Sequence, residues 1–342
     1  MRDDAIAVVI VTHESAKGVR ATLEALSPQL LDADELVVLD NFSGDATVAA
    51  VRGAAPRALV LEQERNLGFA AGCNVGVTAT SAPLVLLLNP DAQPAPGCLD
   101  ALRRIASERP AWGAWQALVT MGDGKQINTA GNVIHYLGMA WAGRCGDPLD
   151  TAPQRPVEVA FASGAALVIR RDDWVRLGGF DERYFMYGED LDLGLRLWLA
   201  NRRIGLAPDA RVEHDYEFAK GGRKWFLLER NRWWTIVSDY PGRLLAFLLP
   251  ALLLAELALL AVAARGGWLG EKLRAQLAVL RELPQILARR RRVQAGCRIS
   301  AGEFARRLSA ELDNPNLGGL VDVRPLATLQ RWYWALVLRL VS

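Results

Sequence analysis

The amino-acid sequence predicts an α/β fold, a mostly parallel sheet flanked by helices, followed by a helical C-terminal region. Three observations predict it. Short runs of branched apolar residues alternate with helix-length segments over the first half of the chain, as βαβ units do. Three of those runs close on polar side chains, at Thr12, at Asp40 and at the turn Asn89-Pro90-Asp91, and the carboxyl ends of strands are where open α/β sheets take their ligands. Beyond residue 241 the character changes to long apolar and basic stretches, so the chain divides into a domain over 1–241 and a helical, membrane-associated region over 242–342.

The elements follow in order. Residues 5–11 form a first buried strand, and Thr12-His13-Glu14-Ser15 turns into a helix that runs to about Leu30, with Pro28 near its end. Residues 35–40 make a second strand and 58–61 a third. Arg65 to Gly76 opens a helix in which Gly68, Gly72 and Gly76 recur every four residues. Each glycine inside a helix costs about 1 kcal/mol relative to alanine, so they mark close approach to a ligand or tight packing on the sheet. Residues 84–88 are apolar throughout and bounded by Pro83 and Pro90, a strand buried on both faces. Pro90 fixes its own φ and pushes Asn89 towards extended geometry, which holds Asp91 at the sheet edge. A helix over 96–108 leads to a more irregular region at 113–159, rich in Gly and Trp, that reads as strands and loops. Residues 161–169 read as a further strand, a strand ends near Pro208, and 188–197 read as a helix with Glu189, Asp190 and Asp192 in its first turn, where the macrodipole favours negative charge.

Composition removes several classes of function. With 51% hydrophobic and 23% charged residues the chain is globular rather than disordered. A net charge of +2 gives no footprint for nucleic acid. The four cysteines are scattered without a C-x-x-C pair, which argues for reduced thiols and against a disulfide framework or structural zinc. The apolar run at 5–11 is too short for a secretory signal, so export is not expected.

An acidic side chain at the edge of a strand suits a hard divalent cation, and such a cation can hold a diphosphate. An ordinary strand-ending turn explains Asp91 alone equally well. Considered together, however, Val9-Ile10-Val11-Thr12, Val38-Leu39-Asp40-Asn41 with Ser43 and Asp45, Asn66-x-Gly68-Phe69-Ala70 with Asn74, Asn89-Pro90-Asp91, Ser163-Gly164-Ala165, Gly188-Glu189-Asp190-Leu191-Asp192 with Arg196, and His214 resemble family 2 glycosyltransferases with the GT-A fold, and most of all their bacterial rhamnosyltransferase branch. The resemblance covers roughly residues 5–241.

That resemblance implies roles. Thr12, Asp40, Asn66 and Asn89 would line the nucleotide pocket, with Asp40 accepting a hydrogen bond from the base. Asp91 would bind Mg2+ or Mn2+ directly, Asn89 standing where the wider fold has the first acid of Asp-x-Asp, and His214 would supply a second ligand or meet the diphosphate. Asp190 would be the general base of an inverting displacement. Gly164, Glu189, Arg196 and Arg230 would meet the donor or acceptor sugar, Arg196 either offsetting leaving-group charge there or pairing with Asp192. The implied reaction moves rhamnose from dTDP-rhamnose to a polyprenyl-diphosphate-linked acceptor. A UDP-hexose or UDP-galactofuranose donor, and a catalytically silent membrane scaffold, are the alternatives. His13 and Glu14 depart from the Tyr-Asn pair common in the family, and the processive Q-x-x-R-W motif is absent.

Residues 244–264 are apolar except Glu256, long enough to span a bilayer at about 1.5 Å per residue. A single pass would carry the arginines after it across the membrane, against the positive-inside rule. The expectation is therefore a helix lying in the cytosolic leaflet of the inner membrane, with Arg289 to Arg292 on anionic head groups. Residues 326–341 suit a second interfacial helix or a homo-oligomer contact.

Overall fold

The computed structural model describes residues 4–215, 221–312 and 324–342, with the side chains of 324–327 left aside. The chain opens with β1 (Ile6–Thr12), α1 (Ala16–Leu26), β2 (Glu35–Asp40), α2 (Thr47–Ala54), β3 (Leu59–Glu62), α3 (Phe69–Thr78) and β4 (Leu84–Leu88). These four strands lie in the order β4-β1-β2-β3 and pair in parallel, because helical crossovers between consecutive strands return the chain to the same edge. Every residue of β1 and β4 is buried, as strands covered on both faces must be. Ile6, Val8 and Ile10 share a core with Leu84, Leu86 and Leu88, with Val19, Leu23 and Leu26 of α1, and with residues further along the chain. Burying each such side chain contributes about 1.5–3 kcal/mol. On the other face α3 settles onto β1, and a Cβ at Gly72 would stand 2.9 Å from Val11 Cγ1. The repeat of Gly72 and Gly76 is thus a packing device, not a ligand cradle.

The second half of the sheet uses β5 (Gln93–Pro94), β6 (Trp112–Met121), β7 (Gln126–Thr129), β10 (Val157–Glu158), β11 (Ala166–Arg170) and β12 (Arg203–Glu213), with α4 (Cys98–Glu108), α5 (Arg171–Leu177) and α6 (Glu189–Leu199) between them in the chain, whereas β8 (Asn132–Ile134) and β9 (Ala140–Ala142) pair as a separate two-stranded sheet. β11 runs antiparallel to both β4 and β6, whereas β12 runs parallel to β6. The sheet is therefore mixed, parallel on the β1 side and largely antiparallel beyond β4. One sequence expectation is given its detail here and one changes. The region at 113–159 contains a ten-residue strand, β6, buried along nine of its positions. The strand expected to end near Pro208 continues to Glu213, and its register shifts between Ala207 and Arg211, where a bulge accommodates the proline.

Contacts among the described residues group into two units. The first holds the mixed sheet. The second holds α7 (Gly221–Asp239), α8 (Gly242–Arg265), α9 (Leu269–Ala295), α10 (Ala301–Ala305) and α11 (Arg324–Val341), together with Val133–Trp141 and Trp198–Asn201. Helix α7, placed with residues 1–241 in the sequence reading, groups with the later helices. Within this unit α8 buries Leu244, Leu248, Leu252 and Ala263, while Leu249, Leu253, Leu254 and Leu257 are each more than half exposed. Glu256 does not break the helix; it pairs with Arg232 and, at 3.0 Å, with Lys272. Arg289 and Arg290 turn inward: Arg289 pairs with Asp239 at 2.8 Å, and Arg290 donates to the carbonyls of Val237 and Tyr240. Of the four-arginine run only Arg291 and Arg292 are exposed, which corrects the expectation that all four face head groups.

Candidate active site

The carboxyl ends of β1, β2 and β4 and the start of β11 gather most of the expected residues. At the end of β2, Asp40 is buried and accepts from Thr12 Oγ1 at 3.0 Å, from Ser43 Oγ at 2.6 Å and from the Ser43 amide at 3.0 Å. Thr12 and Asp40 thus hold each other, and the carboxylate shapes the turn after β2 while keeping acceptor capacity on Oδ2. Asn41 continues the same edge. Its side chain accepts from the Leu67 amide at 2.7 Å and donates to Asn66 Oδ1 and to the Gly68 carbonyl. Asn66 Oδ1 also takes the Gly68 amide, so Asn66 ties the loop before α3 to β2. Gly68 has φ +86°, and a Cβ there would meet the Phe185 carbonyl at 2.5 Å; only glycine fits both demands. His13 Nδ1 lies 3.0 Å from the Asn41 carbonyl, to which it can only donate.

Asp91 sits in the turn after β4, half exposed, with Oδ1 3.1 Å from Nε2 of the buried His214. Helix α1 crowds it: a Cβ at Gly18 would stand 3.0 Å from Asp91 Cβ, and Thr22 donates to the Pro90 carbonyl. His214 follows β12 directly, fixed by its amide on the Thr120 carbonyl and by Asn128 on its own carbonyl. Two donors at right angles on one octahedral ion, with bonds of about 2.1 Å, stand about 3 Å apart. The Asp91–His214 separation fits that requirement, and a carboxylate with an imidazole suits magnesium or manganese. Among the described residues no cluster of three or more such ligands occurs, so an ion here takes its remaining ligands from substrate and water.

Asn89 connects this pair to the other side. Its amide donates to the Ala165 carbonyl at 3.1 Å, continuing the ladder that pairs Leu88 with Ala166. Next to Ala165, the Gly164 amide donates to Asp190 Oδ2 at 3.1 Å, and the Leu191 amide donates to Asp190 Oδ1 at 2.8 Å. Burial raises the Asp190 carboxyl above the ordinary aspartate range, and those two amides oppose the rise. Gln116, missed in the sequence, positions this turn: fully buried in β6, it accepts the Ser163 amide at 2.9 Å. A lone amide side chain inside an apolar run was its signal.

Three candidates lie elsewhere or act differently. Arg196, expected to meet leaving-group charge or to pair with Asp192, does the second, at 2.6 and 2.9 Å, and also donates to the carbonyls of Leu177 and Gly179. Its buried guanidinium is spent on packing, which corrects its assignment to a sugar. Arg230 belongs to α7 in the second unit and donates to Asn231 Oδ1. Glu189, expected at the sugar, is buried, and its Oε2 has no hydrogen-bond partner among the described residues; burial first, and then the Asp190 and Asp192 charges, push it up to about 8. His135 is a structural histidine: burial pushes it down to about 3, and Nδ1 takes the Leu137 amide.

Comparison with known proteins identifies the architecture. Glycosyl transferase family 2 matches residues 7–173. The N-acetylglucosaminyl-diphospho-decaprenol L-rhamnosyltransferase of Mycobacterium tuberculosis is 33% identical over 245 residues, covering 64% of this chain and 78% of the relative. The crystal structure of GalNAc-T7 with UDP, GalNAc and Mn2+ superposes with a TM-score of 0.55 at 15% identity, over 70% of this chain and 48% of that one. The S. aureus TarS structure in complex with UDP superposes with a TM-score of 0.52 at 17% identity, over 98% of this chain and 89% of that one. The last two share the fold. The first relative and the family match carry the assignment: the chain belongs to glycosyl transferase family 2, has the GT-A fold, and is a rhamnosyltransferase-like glycosyltransferase.

Proposed function

We propose that the chain moves rhamnose from dTDP-rhamnose onto a polyprenyl-diphosphate-linked saccharide by an inverting, metal-dependent displacement at the cytoplasmic face of the inner membrane. The observation that carries this reading is the run of contacts along one sheet edge, from His214 and Asp91 through Asn89 and Ala165 to Gly164 and Asp190. The sugar and the class of acceptor are supported by the mycobacterial relative, an N-acetylglucosaminyl-diphospho-decaprenol L-rhamnosyltransferase. GT-A structures such as GalNAc-T7 hold Mn2+.

Asp190, ionised, accepts the proton of the acceptor hydroxyl as that oxygen attacks the anomeric carbon. The bond from that carbon to the diphosphate oxygen breaks as the new one forms, and configuration inverts. Asp91 and His214 are the residues that would hold a divalent ion, and a bound ion would supply positive charge against the nucleoside diphosphate as it leaves. Asp40, held by Thr12, keeps acceptor capacity at Oδ2 for a base N–H. The test is product formation by the full chain from dTDP-rhamnose and a polyprenyl-diphosphate-linked N-acetylglucosamine, with UDP-sugars as competing donors. Turnover with dTDP-rhamnose that stops on chelation is expected, and Asp91→Asn should require far more Mn2+ to reach half-maximal rate. Turnover indifferent to chelator removes the metal, and preference for a UDP-sugar replaces the donor.

The second unit supplies the membrane contact. Helix α8 is apolar on all sides yet covered along one row only, and a helix of that kind belongs in a core or in lipid. Leu273, Leu277, Leu280 and Leu287 of α9 are exposed as well, and the exposed Arg291 and Arg292 follow on the same helix. Glu256, near the middle of α8, is held by Arg232 of α7 and Lys272 of α9. A crossing α8 would take those charges into hydrocarbon, so α8 lies in the leaflet. The full chain should float with vesicles containing anionic lipid, and Leu253→Glu with Leu257→Glu should release it; a double variant that still floats sinks this orientation.

A further inference from the structure

We propose that Glu189 works as a neutral carboxylic acid that leaves the single negative charge of the Glu189–Asp190 pair on Asp190, making it a positioning residue for the base. The proposal rests on Asp190 being the base, and it stands on the distribution of donors. Asp190 receives two backbone N–H bonds, from Gly164 at 3.1 Å and from Leu191 at 2.8 Å. Glu189 is 6% exposed, and nothing among the described residues donates to its Oε2. Hydrogen bonds to a carboxylate favour its charged form, and burial without them favours the acid. Two neighbouring carboxyls given such unequal surroundings place their shared proton on the one with a buried oxygen that receives no donor.

The other groups that face Glu189 reinforce this. Asp192, three positions along the chain on α6, adds negative charge, and its own compensation by Arg196 at 2.6 Å and by Tyr184 at 3.3 Å is already complete. From α3 comes Cys73, a buried thiol pushed up by burial and by Glu189 itself, so it brings no positive charge. A charged Glu189 would hold the pair's remaining proton on Asp190 and leave no free carboxylate to take one from the acceptor. A protonated Glu189 prevents that at neutral pH, in keeping with a carboxyl pushed up to about 8.

The sign of the linkage follows. An acid whose folded pKa is raised binds a proton in the folded state that the unfolded chain has lost, so the fold loses stability as pH rises from the ordinary glutamate range towards that raised value. Glu189→Gln, neutral at every pH, removes this loss. In the full chain its melting temperature should exceed that of the wild type by an amount that grows from about pH 5 to about pH 8. Glu189→Ala should lower kcat about ten- to hundredfold by loosening the base, and Glu189→Gln should recover most of that loss. The infrared spectrum of the wild type at neutral pH should contain a protonated-carboxyl C=O band that Glu189→Gln abolishes, a reading that needs no variant to be active.

A melting-temperature difference that does not change with pH overturns the proposal, as does the lack of that infrared band. A Glu189→Gln variant no better than Glu189→Ala in kcat would mean that the charge is used, which also overturns it. Full turnover in Asp190→Asn would instead remove the base, while the infrared and melting measurements would still report where the proton of Glu189 resides.

Discussion

Asp190→Asn is expected to lower kcat by about a thousandfold, the middle of the range for loss of a positioned general base, with donor affinity nearly unchanged. The substitution keeps the shape of the side chain and removes its capacity to accept a proton. One of the two backbone bonds survives, because the amide oxygen can still accept from Gly164 or Leu191, whereas the amide nitrogen cannot accept from the other. The cost to the fold is therefore about one modest hydrogen bond, near 1 kcal/mol. Donor binding is expected to survive because Thr12 and Asp40, and Asn66 through Asn41, the residues proposed to meet the nucleotide, form their own contacts at the ends of β1 and β2. Single-turnover rates with calorimetric titration of the donor separate the two effects. Unchanged turnover would take Asp190 out of the reaction; lost donor affinity would move it to the nucleotide side.

The dependence on pH gives an independent check on the same residue. Burial raises the Asp190 carboxyl, and its two amide donors pull against that rise. The rate should fall on the acid side as Asp190 takes up its proton, and that limb should vanish from the residual activity of Asp190→Asn. A limb that persists in the variant belongs to another group.

Much of the first half of the fold was legible because its strands are covered on both faces. Continuous apolar runs such as Ile6–Val11 and Leu84–Leu88, each closed by a polar residue, leave no alternative face to choose. β6 was legible only within a stretch of strands and loops, its bounds hidden for the opposite reason: Gly113 and Gln116 break its apolar run, and each is there for packing, the glycine against Leu197 and the glutamine under Ser163. Pro208 gave a false strand end, since a bulge lets β12 pass it. Within the site, Asp40 and Asp91 could be read from local sequence, because each ends a strand. The pairing of Asp91 with His214 could be reached through family resemblance alone, as nothing local links them. The difference between Glu189 and Asp190 was hidden, because two acids at a helix start look alike until one of them meets the Gly164 amide.

Glu256→Ala is expected to cost about 3–5 kcal/mol, the penalty for stranding buried charge. Arg232 and Lys272 are 5% and 0% exposed in their side chains, and both depend on Glu229 and Glu256. Two cations face two carboxylates, and Gln276 donates to Glu256 at 2.8 Å as well. Burial alone would lower the Arg232 guanidinium, but the Glu229 and Glu256 charges outweigh it and hold it above its ordinary value. Burial likewise works against ionised Glu256, and Arg232 with Lys272 overcome that, holding the carboxyl below the usual range. A lowered acid stabilises the fold above its unfolded pKa and loses that contribution as pH falls through its folded value. The stability gap between wild type and Glu256→Gln should therefore narrow in acid. Urea unfolding of the full chain in detergent, across pH, measures both effects. A Glu256→Ala cost within about 0.5 kcal/mol, the range of an ordinary surface change, would mean that water reaches the cluster. The charges would then no longer pin α8 to α7 and α9, and the argument against its crossing the bilayer would fail with them.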